Sequence, residues 1–281
     1  MDEKALDRII RAALKEDIQL GDVTTNSIVP SESVSRAVIF AKENAVLCGI
    51  QLACGVFNSL NKKIKCQCHF KDGEKITPFR PVLTLKGPSR SLLTGERTAL
   101  NFLSYLSAIA TQTQQFVEAV KPYRVKIMDT RKTTPTLRHL ERYAVKCGGG
   151  VNHRDDLSSM AMIKDNHWVL SGHLAINAMV QQIHKNRKVA VELEVDDLTQ
   201  FKQALASKVD IILLDNMSPG MVRKAVDLRK KLKSPILLEV SGGVNLKTVR
   251  LYAQTGVERI SVGSLTHSRR AVDFSMEILK K

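Results

Sequence analysis

The first hundred residues combine helical and strand-like patterns of apolar positions. An amphipathic pattern with charges throughout covers residues 2–16 and predicts a helix, and a second helix is predicted near 44–60. The polar segment 21–30 is rich in turn residues and is interpreted as a loop. Alternating apolar positions predict three strands, at residues 34–40, 64–70 and 81–86. This part of the chain is therefore predicted to be an α+β domain.

The pattern changes near residue 91, where a long helix begins and extends to about residue 120. Between Val125 and Gly263, short apolar runs alternate with helical stretches, which is typical of parallel βα units. The six runs are V-K-I-M-D, M-A-M-I-K, V-A-V-E-L-E-V, D-I-I-L-L-D, P-I-L-L-E-V and R-I-S-V-G. A complete eightfold barrel takes about 250 residues. We therefore expect an open or incomplete TIM-like α/β barrel, with a doubly wound sheet as the competing layout.

Polar residues inside the apolar runs favour the barrel. In V-A-V-E-L-E-V the valines and Leu193 share one strand face, whereas Ala190, Glu192 and Glu194 share the other. In a barrel the apolar face packs on helices and the second face points into the lumen. Carboxylates in that position are costly unless they meet cations or ligands. Glu192, Glu194 and Glu239 are accordingly expected to face inward towards such partners.

Charge narrows the classes of function. The 281 residues include 43 Lys and Arg against 28 Asp and Glu, a formal net charge of +15, which suggests an anionic partner. No block of five or six like charges occurs, and four Tyr, eight Phe and one Trp are few for a surface that stacks bases. A nucleic-acid-binding protein, which would need a contiguous basic surface, is therefore the weaker alternative.

The chain shows no sequence feature of export or of a membrane span. Its N-terminal segment is an amphipathic, charged helix rather than a signal peptide. The longest uncharged stretch, 98–117, contains several Thr, Ser and Gln, which indicates a buried helix. Five cysteines, an odd number without a C-x-x-C pair, indicate reduced thiols, although Cys66 and Cys68 would share a strand face. We expect a cytoplasmic protein.

Cationic residues concentrate where the first predicted barrel strands end. They lie in the segments D-T-R-K-T-T-P-T-L-R, N-H-R and M-I-K-D-N-H, and guanidinium groups match carboxylates and phosphates. Lys164 ends an apolar run and is expected to be largely buried. The alternative is that these loops are solvated and carry only surface ion pairs. The candidate binding residues are Arg131, Lys132, Arg138, His153, Arg154 and Lys164.

Anionic residues and glycines follow the later strands. Glu194 and Asp215 end neighbouring strands, where carboxylates can hold Mg²⁺ or simply neutralise nearby cations. Glycines in E-V-S-G-G-V and I-S-V-G-S-L-T-H allow backbone N–H groups to approach a phosphate at the last two strands. Together these segments predict a pocket for a phosphorylated sugar and a metal beside a compact polycarboxylate.

The same segments carry a resemblance to a known family. The motifs are T-R-K-T-T-P-T-L-R-H-L-E-R-Y-A-V-K-C-G-G-G-V-N-H-R, I-K-D-N-H, V-E-L-E-V, L-L-D-N-M, E-V-S-G-G-V and S-V-G-S-L-T-H. In this order and spacing the chain resembles the quinolinate phosphoribosyltransferase family. E-D-I-Q-L-G-D-V-T-T and G-E-R-T-A-L-N also look like that family, so the resemblance covers nearly the whole chain.

The resemblance implies a reaction and an architecture. Quinolinate and phosphoribosyl pyrophosphate would give nicotinate mononucleotide, pyrophosphate and carbon dioxide for NAD synthesis, with Mg²⁺ as cofactor. An N-terminal α/β sandwich domain over 1–110 would join the barrel domain over 111–268. A C-terminal helix over 269–281 would pack back on the N-terminal domain, and two chains would form a homodimer. ModD-like proteins of molybdenum transport share the fold and are the closest alternative.

The resemblance also implies residue roles. Arg131, His153, Arg154 and Lys164 look like the quinolinate-binding group, and Arg97 resembles an arginine that enters the partner subunit's site. Lys132, Glu194 and Asp215 look like the catalytic residues around the ribosyl pyrophosphate, with the two carboxylates as Mg²⁺ ligands. The 5′-phosphate cradle would comprise Ser241, Gly242, Gly243, Gly263, Ser264 and His267. One departure is Thr136, where the family commonly has glycine; threonine tolerates a positive φ poorly.

Overall fold

The computed structural model describes residues 3–279 and divides into two compact units. The first unit comprises residues 1–112, 146–149 and 269–281, and the second comprises 113–145 and 150–268. The helices are α1 (Glu3–Ile18), α2 (Val23–Ile28), α3 (Ile50–Leu60), α4 (Ser89–Val120), α5 (Arg138–Cys147), α6 (Asp165–Leu170), α7 (Ile176–Asn186), α8 (Leu198–Leu205), α9 (Pro219–Lys231), α10 (Val249–Ala253) and α11 (Ser264–His267). The strands are β1 (Val34–Ala41), β2 (Ala45–Val46), β3 (Lys65–Cys68), β4 (Lys75–Ile76), β5 (Pro81–Pro88), β6 (Lys126–Met128), β7 (Ala161–Ile163), β8 (Val191–Val195), β9 (Ile211–Asp215), β10 (Leu237–Ser241), β11 (Arg259–Ser261) and β12 (Phe274–Ile278).

An antiparallel sheet with the strand order β12-β1-β5-β3 forms the centre of the first unit. Alternation along its strands buries one face, on which Ala37, Ile39, Leu83 and Leu85 are fully buried. Helix α1 packs on α3 at Gly55, where an added Cβ would lie only 2.6 Å from the Ile10 side chain. The three strands predicted before residue 90 are confirmed as β1, β3 and β5.

Two predictions about the first unit are wrong. The segment expected to be only a loop contains α2, whose N-cap Asp22 accepts a hydrogen bond from the Thr25 backbone N–H at 2.9 Å. The C-terminal segment expected to be a helix contains strand β12, which pairs antiparallel with β1 from Ala41↔Phe274 to Ala37↔Ile278. The short run D-F-S-M-E-I alternates apolar and polar residues, and such a run completes a sheet edge readily.

A six-stranded parallel sheet forms the second unit, in the order β6-β11-β10-β9-β8-β7. It contains all six strands that the apolar runs predicted. Consecutive strands from β7 to β11 are neighbours, and β6 adds beyond β11, so the strand order never reverses as it would in a doubly wound sheet. In the described part of the chain, β6 and β7 do not pair with each other. The open α/β barrel prediction is confirmed.

The segment after α5 covers the free side of β6. Val151 forms an isolated parallel bridge with Met128, its N–H donates to the Ile127 carbonyl at 2.8 Å, and its carbonyl accepts from the Asp129 N–H at 3.2 Å. This bridge places the two residues that follow Asn152 at the carboxyl end of the sheet. We call residues 150–154 the bridge segment.

The uncharged stretch 98–117 lies within α4, where Leu103, Leu106 and Ala110 are buried. Across residues 3–279, no helix combines the length and the apolar character needed to cross a membrane.

Candidate active site

A cleft of about 650 Å³ lies at the carboxyl ends of the parallel strands in the second unit. Every strand of the sheet contributes a lining residue, either from the strand itself or, for β6, from the position that directly follows it, because the carboxyl ends of parallel strands meet at one edge. The predicted candidates that line it are Arg131, Lys132, His153, Arg154, Lys164, Glu194, Asp215, Ser241, Gly242, Gly243, Gly263, Ser264 and His267. Residues from distant parts of the sequence therefore meet in one pocket.

Asp129 at the end of β6 is fully buried and holds the bridge segment in place. Its carboxylate accepts hydrogen bonds from the Asn152 side-chain amide and from the His153 backbone N–H, both at 2.6 Å. Burial raises the pKa of Asp129, while these donors and the Arg142 charge oppose that rise. The carboxylate thus has a structural function at the floor of the cleft.

Arg142 of α5 supports the same segment from its other side. Its guanidinium donates to the carbonyls of His153 at 2.9 Å and Arg154 at 3.1 Å, and it forms ion pairs with Asp129 and Asp155. Arg142 was not among the predicted site residues. Helix α5 buries the apolar residues Leu140, Ala144 and Val145, and Arg142 is one of the two charged residues that it buries with them.

Glu141, the other buried charged residue of α5, supports the loop that carries Arg131 and Lys132. Its carboxylate accepts from the Thr134 backbone N–H at 3.1 Å. Two residues further on, Thr136 adopts φ 68°, a left-handed conformation that is costly for a β-branched residue. The sequence predicted that glycine would suit this turn better than threonine, and the positive φ of Thr136 agrees with that prediction.

His153 lies between two buried carboxylates, as the inward-facing glutamates predicted. Its Nε2 is 3.2 Å from Glu192 and 3.1 Å from Glu239, and both carboxylates are fully buried. Burial alone would lower the pKa of His153, but the two carboxylates raise it to about 10. Ser261 donates to Glu239, and Arg259 lies 3.9 Å from it. The Arg154 backbone N–H donates to His153 Nδ1 at 2.8 Å, so the ring is held on both edges and lies fixed in the cleft wall.

The same three residues are the one group of potential metal ligands that lie close together in the described part of the chain. Their ligand atoms fall within 4.8 Å of one another. The Nδ1 atom of His153 already accepts from the Arg154 backbone N–H, however, and Nε2 already faces the two carboxylates at 3.1 and 3.2 Å. We therefore assign this group as an ion-paired cluster.

Arg154 points along the cleft wall in a fixed orientation. Its guanidinium donates to the Met160 carbonyl at 3.2 Å and contacts the Met162 sulfur at 3.7 Å. Burial and the neighbouring Arg131 charge lower the pKa of Arg154. Two like charges held close together in a partly buried wall favour an anionic ligand between or above them.

Lys164 and Glu194 form an ion pair across the neighbouring strands β7 and β8. The expectation that Lys164 is largely buried is wrong, because its side chain is 41% exposed, against 16% for Glu194. Strand β7 ends at Ile163, so Lys164 is the first residue beyond the sheet and forms the N-cap of α6. Its ammonium group therefore lies in the cleft wall, where a ligand can reach it.

A tight backbone contact shapes the cleft beyond Asp215. Asn216 donates from its side chain to Asp215 at 2.6 Å and from its backbone to the Ser241 carbonyl at 2.9 Å. Gly242 passes so close that an added Cβ would lie 2.1 Å from the Asn216 side-chain oxygen, and its φ of 92° is also left-handed. Only glycine fits there. Asn216 was missed because it lies outside the apolar run.

The loop of Lys132 is tied to the last helix of the unit. The Thr266 hydroxyl donates to the Lys132 carbonyl at 2.6 Å. A Cβ added at Gly263 would meet both the His267 ring at 3.1 Å and the Lys132 side chain at 3.4 Å. The side chains of Lys132 and His267 thus flank Gly263, where the backbone is accessible.

Two predicted site residues lie elsewhere. Arg138 does not line the cleft; it donates to the Thr133 hydroxyl at 3.0 Å and to the Asp155 carbonyl at 3.4 Å, so it stabilises the loop instead. Arg97 lies exposed on α4 in the first unit. Several uncharged residues line the cleft although the sequence did not predict them. They are Thr130, Met162, Leu213, Val244, Asn245 and Ser261.

Known families match the chain along almost its whole length. The family model described as quinolinate phosphoribosyl transferase, C-terminal domain, matches residues 109–277. The model described as quinolinate phosphoribosyl transferase, N-terminal domain, matches residues 22–107.

Individual relatives agree with these matches. The nicotinate-nucleotide pyrophosphorylase (carboxylating) of Mycobacterium leprae is 40% identical over 277 residues, which cover 96% of this chain and 95% of the relative. The quinolinate phosphoribosyltransferase (decarboxylating) 1b of Nicotiana tabacum is 36% identical and covers 96% of this chain and 81% of the relative. The solved nicotinate-nucleotide pyrophosphorylase from Francisella tularensis superposes with a TM-score of 0.93 at 36% identity, over 99% of this chain and 98% of that one.

Proposed function

Because the chain belongs to the quinolinate phosphoribosyltransferase family, we propose that its cleft transfers the phosphoribosyl group of phosphoribosyl pyrophosphate to quinolinate. The products are nicotinate mononucleotide, pyrophosphate and carbon dioxide, and the reaction supplies NAD synthesis. The observation that supports this function best is the composition of the cleft wall. It combines the cations Arg131, Arg154 and Lys164 with carboxylates and glycine loops, and Lys164 and Glu194 form an ion pair where the two kinds of group meet. A dicarboxylate and a sugar phosphate need both kinds of group.

Quinolinate binds at the cationic side. Its two carboxylates pair with the guanidinium groups of Arg131 and Arg154 and with the Lys164 ammonium. The His153 ring lies in the same part of the cleft wall, and the Arg154 backbone N–H holds it there. Two observations support the assignment: the neighbouring Arg131 lowers the pKa of Arg154, and Arg154 is already oriented by Met160. These groups bind an anion without a large rearrangement.

Phosphoribosyl pyrophosphate binds at the other side. Lys132 balances the charge of the diphosphate, and Glu194 and Asp215 lie where the ribose carbon reacts. The close approach of Gly242 to Asn216 and the accessible backbone at Gly243 support a phosphate position at the ends of β10 and β11. The cradle for the 5′-phosphate comprises Ser241, Gly242, Gly243, Gly263, Ser264 and His267.

Mg²⁺ fits the carboxylate side by the chemistry of its donors. Glu194 and Asp215 are oxygen ligands on neighbouring strands, and both line the cleft. Glu194 is ion-paired with Lys164, so a divalent cation would compete with that ammonium group. These two carboxylates would hold Mg²⁺, and the bound ion would neutralise negative charge on the diphosphate.

The reaction follows from charge. The pyridine nitrogen forms a bond to the anomeric carbon as the bond from that carbon to pyrophosphate breaks. Glu194 and Asp215 stabilise the positive charge that develops on the sugar, and Lys132 stabilises the leaving pyrophosphate. The ring nitrogen is then cationic, so the electron pair left by departing carbon dioxide is stabilised beside it and takes up a proton. The residues position the reactants and balance charge.

Product analysis tests the activity directly. Mixing the protein, Mg²⁺, phosphoribosyl pyrophosphate and quinolinate is expected to yield nicotinate mononucleotide. Nicotinate, which lacks one carboxylate, would leave a cation of the site unpaired and is expected to react far more slowly. Comparable kcat/KM values for the two acids would contradict the roles of Arg131, Arg154 and Lys164. No product with quinolinate would favour a ModD-like paralogue.

Two chains form a homodimer in the cytoplasm in this proposal, and Arg97 enters the partner's site. The exposure of Arg97 on α4 is what such a role requires. Arg97→Ala and Lys164→Ala homodimers are expected to be nearly inactive. After dissociation and equal mixing, heterodimers with one intact site would restore about a quarter of the wild-type activity. If heterodimers detected by mass spectrometry stay inactive, the intersubunit role is wrong while the enzymatic activity stands.

A further inference from the structure

Three of the five cysteines lie together in the first unit. Cys54 belongs to α3, and Cys66 and Cys68 belong to the edge strand β3. The sulfur atoms of Cys54 and Cys68 are 3.6 Å apart. Cys54 is buried at 7% exposure, Cys66 is half-buried and Cys68 is exposed. We call these residues the thiol cluster. It lies in the unit that does not contain the cleft.

We propose that the thiol cluster is an oxidation site at which hydrogen peroxide joins Cys54 and Cys68 in a reversible disulfide. The bond would link α3 covalently to β3. This site is separate from the phosphoribosyl-transfer chemistry and does not depend on it.

The geometry permits this bond after a small movement. A disulfide has an S–S distance of about 2.05 Å, so the two sulfurs must approach by about 1.5 Å. Strand β3 pairs only with β5 and lies at the edge of its sheet, where movement breaks few hydrogen bonds. Short turns at residues 61–64 join α3 to β3, so the closing segment is local. The exposed Cys68 gives a small oxidant access to the buried Cys54.

The oxidation proceeds in two steps. The Cys68 thiolate attacks one peroxide oxygen, the O–O bond breaks, and sulfenic acid and hydroxide form. The Cys54 sulfur then attacks the Cys68 sulfur, the S–O bond breaks, and a second hydroxide leaves. The protons of the two thiols convert both hydroxides to water. Two thiols have lost two electrons in total, and one peroxide molecule has gained them.

The Cys54 thiol loses its proton as it attacks. The neighbouring thiol of Cys66 and burial raise the pKa of Cys54, so Cys54 is protonated before the second step. The hydroxide released in the first step takes up this proton, and the Cys54 thiolate forms beside the Cys68 sulfur, 3.6 Å away.

Peptide mapping of the wild-type protein tests the proposal without any variant. The reduced protein is treated with hydrogen peroxide, free thiols are alkylated, and the digest is examined by mass spectrometry. We expect a cross-linked peptide pair containing Cys54 and Cys68 that dithiothreitol separates. Cys48, which is fully buried and contacts Cys147, is mapped with it in the same digest as a separate pair of thiols and is expected to remain reduced.

Variants separate the roles within the cluster. In Cys54→Ser, sulfenic acid should accumulate on Cys68 and react with dimedone, because the resolving thiol is gone. In Cys66→Ser, the cross-link between Cys54 and Cys68 should still form, because Cys66 is not one of the two sulfurs that bond. The proposal is wrong if the wild-type protein gives only sulfinic or sulfonic acid on Cys68, or if Cys54 and Cys68 are cross-linked only to other cysteines. It is equally wrong if Cys54 and Cys68 both remain free.

Discussion

The two units bury different kinds of polar group. Among the described residues of the first unit, the buried polar side chains are hydroxyls, such as Ser107, which accepts from the Cys48 N–H at 2.9 Å and donates to its carbonyl at 3.2 Å. The second unit buries hydroxyls too, but it also buries ionisable groups, which line the cleft or hold the segments that form it. They are Asp129, Glu141, Arg142, Glu192 and Glu239.

This difference separates what folding requires from what the site requires. The first unit shows that a sheet with helices packs well with apolar residues and hydroxyl groups that satisfy nearby backbone. Buried charges are expensive even when paired, so the second unit carries a cost that its fold does not demand. In return, the bridge segment is held from both sides, and His153 and Arg154 have fixed positions. Orientation of the cleft cations is therefore the function of the buried charges.

The largest effect is expected from breaking the support of the bridge segment. Arg142→Met leaves the buried Asp129 without its cation and two carbonyls without a donor, so the free energy of unfolding should fall by about 3–5 kcal/mol. Urea denaturation followed by the fluorescence of Trp168, the single tryptophan, measures it. Arg11→Met removes the same group from an exposed pair on α1 and should leave unfolding unchanged. If Arg142→Met leaves the free energy of unfolding unchanged, the buried charges are not needed for stability.

Asp215→Asn tests the cleft charge without changing its shape. The group lies at the rim rather than in the buried layer, so the fold should survive while kcat falls by about 100-fold or more. Quinolinate affinity, measured by calorimetry, should change far less than kcat. Asp227→Asn on the exposed face of α9 is the matched control and should behave as the wild type. Equal losses of affinity and turnover would indicate a binding role only.

The His153 cluster predicts a dependence of stability on pH. The folded pKa of about 10 lies above the usual 6.5, so the fold favours the protonated imidazole. Its stabilisation is complete below pH 6.5 and is lost as the pH rises to about 10. The Trp168-monitored unfolding free energy should fall over that interval in the wild type. His153→Gln should flatten the slope; an unchanged slope in this variant would mean that other groups cause it.

The smallest effect concerns the left-handed Thr136. Thr136→Gly removes the strain of a β-branched residue at φ 68°. Glycine also raises the conformational entropy of the unfolded chain, which offsets part of this gain, so the net stabilisation should be about 1 kcal/mol. Thermal unfolding measures the change. Thr136→Ala keeps a Cβ at the same φ and should gain much less. If both variants behave alike, the backbone conformation is not the source of the strain.

The sequence predicted the parallel strands and most cleft residues because each strand has a clear apolar run and its polar residues begin where the run ends. It did not predict α2 or β12, because both are short. The N-cap Asp22 decides that the first is a helix, and pairing with β1 decides that the second is a strand. Lys164 was expected to be buried because periodicity alone does not show that β7 stops one residue earlier. Arg142 was missed because its partners are backbone carbonyls from a distant loop, and no local pattern encodes them.

The bridge between Met128 and Val151 imposes a length constraint on the chain. Side chains alternate along extended backbone, so the number of residues counted from Val151 decides which one faces the buried carboxylates and which one faces Met162. Deletion of one residue between Val151 and His153 would move Arg154 to the position of His153 and place a guanidinium where an imidazole now fits. Substitutions in this segment change single contacts, whereas an insertion or deletion would exchange the identities of the cations at once. The spacing from Val151 to Arg154 is therefore as much a part of the site as the residues themselves.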